Sequence, residues 1–287
     1  MAFISLTRLS ELHPRRFFLE TWRAVDLESE TERAARSGYD YRPLIALSTA
    51  AVSLILMEYL GSARQLNVLI YALEDVNTGA LDGMIDVYYK QSRFFTLFQH
   101  AWWALWRVTG YFAIPAIVIK WVFRERLCDW GLQTKGIGEH IWIYFVCFIP
   151  VLALVVLMSF RGDFLNYYPF YEKAGRSWID LLIWELLYAA QFFALEFFFR
   201  GFWLKACKSA MGSSAIMAMV VPYCMIHFGK PWPEVLAAIV AGIVLGTLAL
   251  KTRSIWNGVF IHLSVALSMD LAALIQTNRF PSLLWPR

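Results

Sequence analysis

Apolar residues in this chain gather in long unbroken blocks, with polar residues confined to the gaps between them. Seven blocks stand out: about 44–62, 97–123, 141–160, 179 through the "LEFFFR" of 195–200, 213–228, 233–250 and 254–277. Several approach or exceed the ~20 residues that carry a helix across a bilayer core. The pattern predicts an all-α polytopic membrane protein of about seven to eight transmembrane helices. The gaps read differently. Residues 1–42 are polar, with "SETERAARSG" read as a short solvated helix or a surface segment. Residues 63–95, holding Glu74, Asp75, Asp82 and Asp86, read as a loop with a short amphipathic piece. "RGDFLNYYPFYEKAGRS" (161–177) reads as an aromatic loop at a membrane–water interface.

Composition agrees with the pattern. Of the 287 residues, 59% are hydrophobic and only 17% are charged, where a soluble domain has about 25%. The net charge of +4 is small and spread along the chain, so nucleic-acid binding is not expected. Cys128, Cys147, Cys207 and Cys224 show neither CxxC nor zinc-ligand spacing and are expected to fill apolar space within helices. No cleavable signal is expected, so the first span would direct insertion. Basic residues are unevenly shared. Sixteen fall in the N-terminal segment, the 120–135 connection with Lys120, Arg124, Arg126 and Lys135, the 200–208 stretch and the 251–253 turn; nine fall in the alternate segments. The bias predicts a cytoplasmic N-terminus and an external C-terminus. Compact size suggests a bacterial inner (plasma) membrane.

No repeat or low-complexity linker divides the chain. It reads as a polar segment 1–42, N-terminal helices and loops 43–178, and a motif-bearing core 179–277.

Ionisable residues inside membrane spans are costly and mark function. Glu196 and Arg200 are four apart, on one helical face within salt-bridge reach. Glu185, eleven residues before Glu196, projects toward the same side on a regular helix. Tyr223 and His227 are likewise four apart, in "YCMIHFGKP". His262 lies deep in an apolar run, eight residues before Asp270. Each has a plain structural reading: an ion pair fixing helix packing, a histidine at a helix end, a packing histidine. Together they bring one acid–base group from each of three helices. If the fourth helix runs on past Arg200 to a turn at Gly212, Glu196 and His227 lie at nearly equal height, ~22–24 Å from that turn. A fourth helix ending at Arg200 is the other arrangement, and spacing does not choose between them.

These motifs resemble the CPBP family, the membrane-embedded CAAX proteases and bacteriocin-processing or self-immunity (ABI-type) proteins. Its three patterns, Glu-Glu-x-x-x-Arg, Phe-x-x-x-His and His-x-x-x-Asn/Asp/Ser, stand here as "LEFFFR", "YCMIH" and "HLSVA" over about 179–275, linked by "AGIVLGTLALKTRSIWNGVFIH". This chain departs from the patterns at three positions. Leu195 stands where the family has its first glutamate, Tyr223 replaces phenylalanine, and Ala266 replaces the last asparagine.

The resemblance implies an intramembrane endopeptidase that hydrolyses a peptide bond with glutamate-activated water. Glu196 would be the base, kept ionised by Arg200, with His227 and His262 holding water or the oxyanion. Tyr223, Glu185, Glu234 and Asp270 are accessory candidates, Glu185 and Glu234 as substitutes for the missing glutamate. No metal or other cofactor is favoured, since HExxH is absent; zinc, if bound, would take Glu196, His227 and His262. The expected partners are a membrane-associated peptide or protein and the lipid bilayer. The alternative is a catalytically silent relative that binds a membrane peptide as a chaperone or immunity factor. A small transporter is the third reading, disfavoured because the polar groups cluster in the C-terminal half.

Overall fold

Residues 13–76, 85, 89–134 and 137–287 are described by a computed structural model, and they form helices and turns with no strand. The helices are α1 (Thr21–Ala35), α2 (Arg42–Leu60), α3 (Ala63–Val76), α4 (the run Phe95–Phe123), α5 (Ile137–Met158) and α6 (Gly162–Tyr167). They continue with α7 (Trp178–Glu196), α8 (Leu204–Met211), α9 (Ala215–Met225), α10 (Trp232–Thr252) and α11 (Trp256–Gln276). Five helical runs among them are long and apolar enough to cross a membrane. Large apolar side chains such as Ile55, Leu105 and Leu186 are exposed on them, as lipid permits and water does not. The protein is an all-α polytopic membrane protein.

The fourth expected span does not stop at Arg200. From α7 the chain continues through a π-helical segment, Phe197–Trp203, into α8. The apolar, fully buried text of that segment gives the helix no reason to end. It ends at Gly212, whose φ of +57° disfavours a side chain. A Cβ there would also strike the Asp26 carboxylate. Two expected spans contain only short described apolar helices: Trp142–Met158 within α5, and α9. Beyond α9 the chain carries on as hydrogen-bonded turns through Lys230.

The structure adds detail to three readings of the gaps. The 63–95 segment opens with a regular helix, α3; Asp82 and Asp86 lie outside the described residues, as does Lys135. The 161–177 stretch is not simply an interfacial loop. Tyr168 and Tyr171 are buried, because the Tyr171 hydroxyl donates to Asp180 Oδ1 at 2.8 Å and its ring packs beside Trp184. The N-terminal helix is more than a solvated segment, since α1 buries Val25 and Ser29. All four cysteines are free, and Cys128 is exposed rather than packed within a helix.

The chain packs as two units. One comprises Met1–Ala50, Pro115–Pro150 and Glu196–His262; the other comprises Ala51–Ile114, Val151–Leu195 and Leu263–Arg287. In the second, Trp184, Tyr188 and Phe192 follow one another at helical spacing on one face of α7, with ring centroids 4.7 and 4.6 Å apart. Ala266 packs into this aromatic core. The first unit holds α1, α8, α9, α10, the π-helical segment and the candidate site.

Candidate active site

Glu196 is the last residue of α7, at the junction with the π-helical segment. In that segment the Leu204 amide reaches back five residues to the Phe199 carbonyl. The wider turn admits Phe197, Phe198, Phe199 and Phe202 to a fully buried packing, and π-bulges of this kind recur at functional sites. Glu196 is 0% exposed. Its Oε1 lies 3.1 Å from Arg200 Nη1 and 2.6 Å from His262 Nδ1. A carboxylate cannot remain charged at such a place unless cationic or N–H partners replace water. Glu196 Oε2 has no hydrogen-bond partner among the described residues. It lies against the α carbon of Gly258, where a Cβ would sit 2.3 Å from it. Only glycine, one helical turn before His262, lets α11 approach the carboxylate this closely.

α9 supplies the other wall. The Tyr223 hydroxyl is 3.1 Å from His262 Nε2, and the Arg200 guanidinium lies over the Tyr223 ring at 4.1 Å, a cation–π contact strengthened by burial. Glu196, Arg200, His262 and Tyr223 thus form one connected chain of contacts. The ionised carboxylate can only accept, so His262 Nδ1 carries the proton and Nε2 accepts from Tyr223. His262 is the partly open member, with 14% of its side chain exposed.

His227 joins through Tyr223. Its Nδ1 donates to the Tyr223 carbonyl at 2.7 Å, and the two rings meet edge to face at 4.8 Å. With Nδ1 the donor, Nε2 of the neutral ring is left as an acceptor.

The accessory candidates are placed differently. Glu234 sits in the first turn of α10 and pairs with Lys230 Nζ at 2.6 Å. Asp270 belongs to the second unit and accepts from Trp184 Nε1 at 2.7 Å. Glu185 is in the same unit; its carboxylate oxygens are buried with no hydrogen-bond partner among the described residues. Neither position with a lost family residue offers a polar group: Leu195 and Ala266 are both buried and apolar.

Of the ring nitrogens that zinc would need, both of His262 and Nδ1 of His227 already have hydrogen-bond partners. Sequence reasoning names Tyr223 as an accessory candidate but does not single out Gly258, whose position four residues before His262 is the signal for it.

No curated protein and no solved structure matches the chain. Residues 176–268, about a third of the chain and the part that carries these side chains, match the Rce1-like family model, described as type II CAAX prenyl endopeptidase Rce1-like.

Proposed function

We propose that this protein is an intramembrane endopeptidase that cleaves a membrane-associated peptide or protein with water activated at the Glu196–His262 pair. The observation that carries the proposal is the 2.6 Å contact between a fully buried carboxylate and His262 Nδ1. A carboxylate so placed fixes the tautomer and stabilises the imidazolium that forms when Nε2 takes a proton. Glu196 then acts through His262, because its Oε1 is engaged and its Oε2 faces Gly258.

His262 Nε2 removes a proton from water as the oxygen adds to the scissile carbonyl carbon. The carbonyl π electrons move to oxygen, and the Tyr223 hydroxyl, released from Nε2, donates to that oxyanion. The carbon–nitrogen bond breaks as His262 returns the proton to the leaving amine. His227 Nε2, a bare acceptor, orients the water. Arg200 keeps Glu196 anionic. Metal-independent hydrolysis is the working mechanism, and stoichiometric tight zinc in purified protein would overturn it.

The test compares membrane peptides in cells making the wild-type protein or Glu196→Gln. An uncleaved peptide should accumulate with the variant and be cut by purified wild type. Glu196→Gln and His262→Ala should each lower turnover by about 10³-fold or more, while the folded protein remains. Normal cleavage by both variants would defeat the proposal. The buried apolar Leu195 and Ala266 favour a second reading, a peptide-binding relative without activity. Under it, one peptide co-purifies equally with wild type and variant and neither cuts it.

A further inference from the structure

Of the catalytic groups only His262 is partly open, with 14% of its side chain exposed, yet hydrolysis consumes a water for each bond cut. Glu196 is 0% exposed and Tyr223 1%. Behind them lies a cavity of about 340 Å³ that opens to the outside. Arg200, Ser254, Lys208 and Arg253 stand in its wall, with Glu28 and Glu32 of α1. The Arg200 side chain is fully buried, and its Nε and Nη2 find no hydrogen-bond acceptor among the described residues. Buried donors of this kind are met by water, and the volume has room for about ten molecules at ~30 Å³ each.

The charges of the cavity argue against an ionic ligand. Arg200 faces Glu196 at 3.1 Å, and Lys208 faces Glu28 and Glu32 at 3.0 and 3.2 Å. Arg253 faces Glu28 at 3.3 Å. Lys205 Nζ donates to the Asp129 carbonyl at 2.5 Å and stands over the Trp130 ring. With these cations matched, a small neutral polar occupant fits best.

We infer that this cavity is the chamber from which the hydrolytic water is drawn, and that α1 is its cover. The inference rests on the peptidase reading. Water held at Arg200 is one ion pair from the carboxylate of the site. α1 is attached in two ways. Near its start, Trp22 Nε1 donates to Thr247 Oγ1 at 3.0 Å, and Asp26 accepts from the Ser213 amide at 2.7 Å. Its later turns are held over the cavity by Glu28, paired with Lys208 and with Arg253, and by Glu32, paired with Lys208; the two carboxylates are 39% and 41% exposed. Exposed pairs of this sort are weak and screened by salt. The first half of α1 is an anchor; the later turns, which also bury Ser29, lift when those pairs break.

The test uses the full chain with its four native cysteines replaced and Ser254→Cys in the chamber wall. A charged, membrane-impermeant methanethiosulfonate reagent should modify this cysteine. The rate should rise severalfold in Glu28→Gln/Glu32→Gln protein and in high salt. Modification should lower kcat and leave KM unchanged. Ala249→Cys, on another wall, serves if the first variant folds poorly, and exposed Ser37→Cys, which does not line the cavity, is the control. If neither Ser254→Cys nor Ala249→Cys reacts while Ser37→Cys does, there is no water-filled chamber. Equal rates with and without the α1 carboxylates would remove α1 as the cover. Modification without loss of turnover would remove the chamber as the water source. Should the protein cleave nothing, the peptidase reading fails, while the modification rates still judge the chamber and its cover.

Discussion

A single hydroxyl group separates Tyr223 from the phenylalanine of the family pattern, and it is the group that meets His262. Tyr223→Phe keeps the volume and the Arg200 contact but removes a donor. It should lower kcat about 10²-fold with KM and thermal stability little changed; unaltered kcat would dismiss the phenol as an oxyanion donor.

At the scale of the element, the site depends on a helix that changes pitch without breaking. Phe197–Trp203 winds as a π-helix between α7 and α8, and Gly201 marks where another segment presses on it. A Cβ on Gly201 would lie 2.6 Å from the Trp130 carbonyl oxygen. Trp130 has little room to yield, because its Nε1 is held by Glu125 at 3.0 Å and its ring stacks on Phe123. Gly201→Ala should destabilise the protein by about 1–3 kcal/mol, read as a lowered unfolding temperature in detergent. An unchanged temperature would mean that the segments do not approach so closely. The wide turn itself was not legible. "LEFFFRGFW" has the composition of any buried α-helix, and the extra residue per turn comes from packing against neighbours that sequence spacing does not reveal.

Across the whole molecule, the basic segments assigned to one side by charge alone are found together in the first unit. Glu28 of α1 meets Lys208 and Arg253, Arg42 pairs with Glu125, and the Gln133 side chain donates to the Arg253 carbonyl. These contacts join the N-terminal segment, the 120–135 connection, the 200–208 stretch and the 251–253 turn. That they face the cytoplasm is the proposal which follows from the excess of Lys and Arg. A cysteine at exposed Ser37 should react with an impermeant thiol reagent in inverted vesicles and not in intact cells. The opposite result would reverse the orientation.

The sequence by itself determined that the chain lives in a membrane and which ionisable residues share its motif-bearing third. Both follow from local facts: unbroken apolar length, and the cost of a charge within it. The long fourth helix remained one of two arrangements until the residues around Glu196 were seen to be buried on all sides and the chain to reverse only at Gly212. The tertiary structure alone decided that Glu196 turns to His262, that Tyr223 completes the chain of contacts, and that Glu185 and Asp270 belong to another unit. Those outcomes depend on which faces of distant helices meet, and a gap of 66 residues between Glu196 and His262 leaves no periodicity from which to read them.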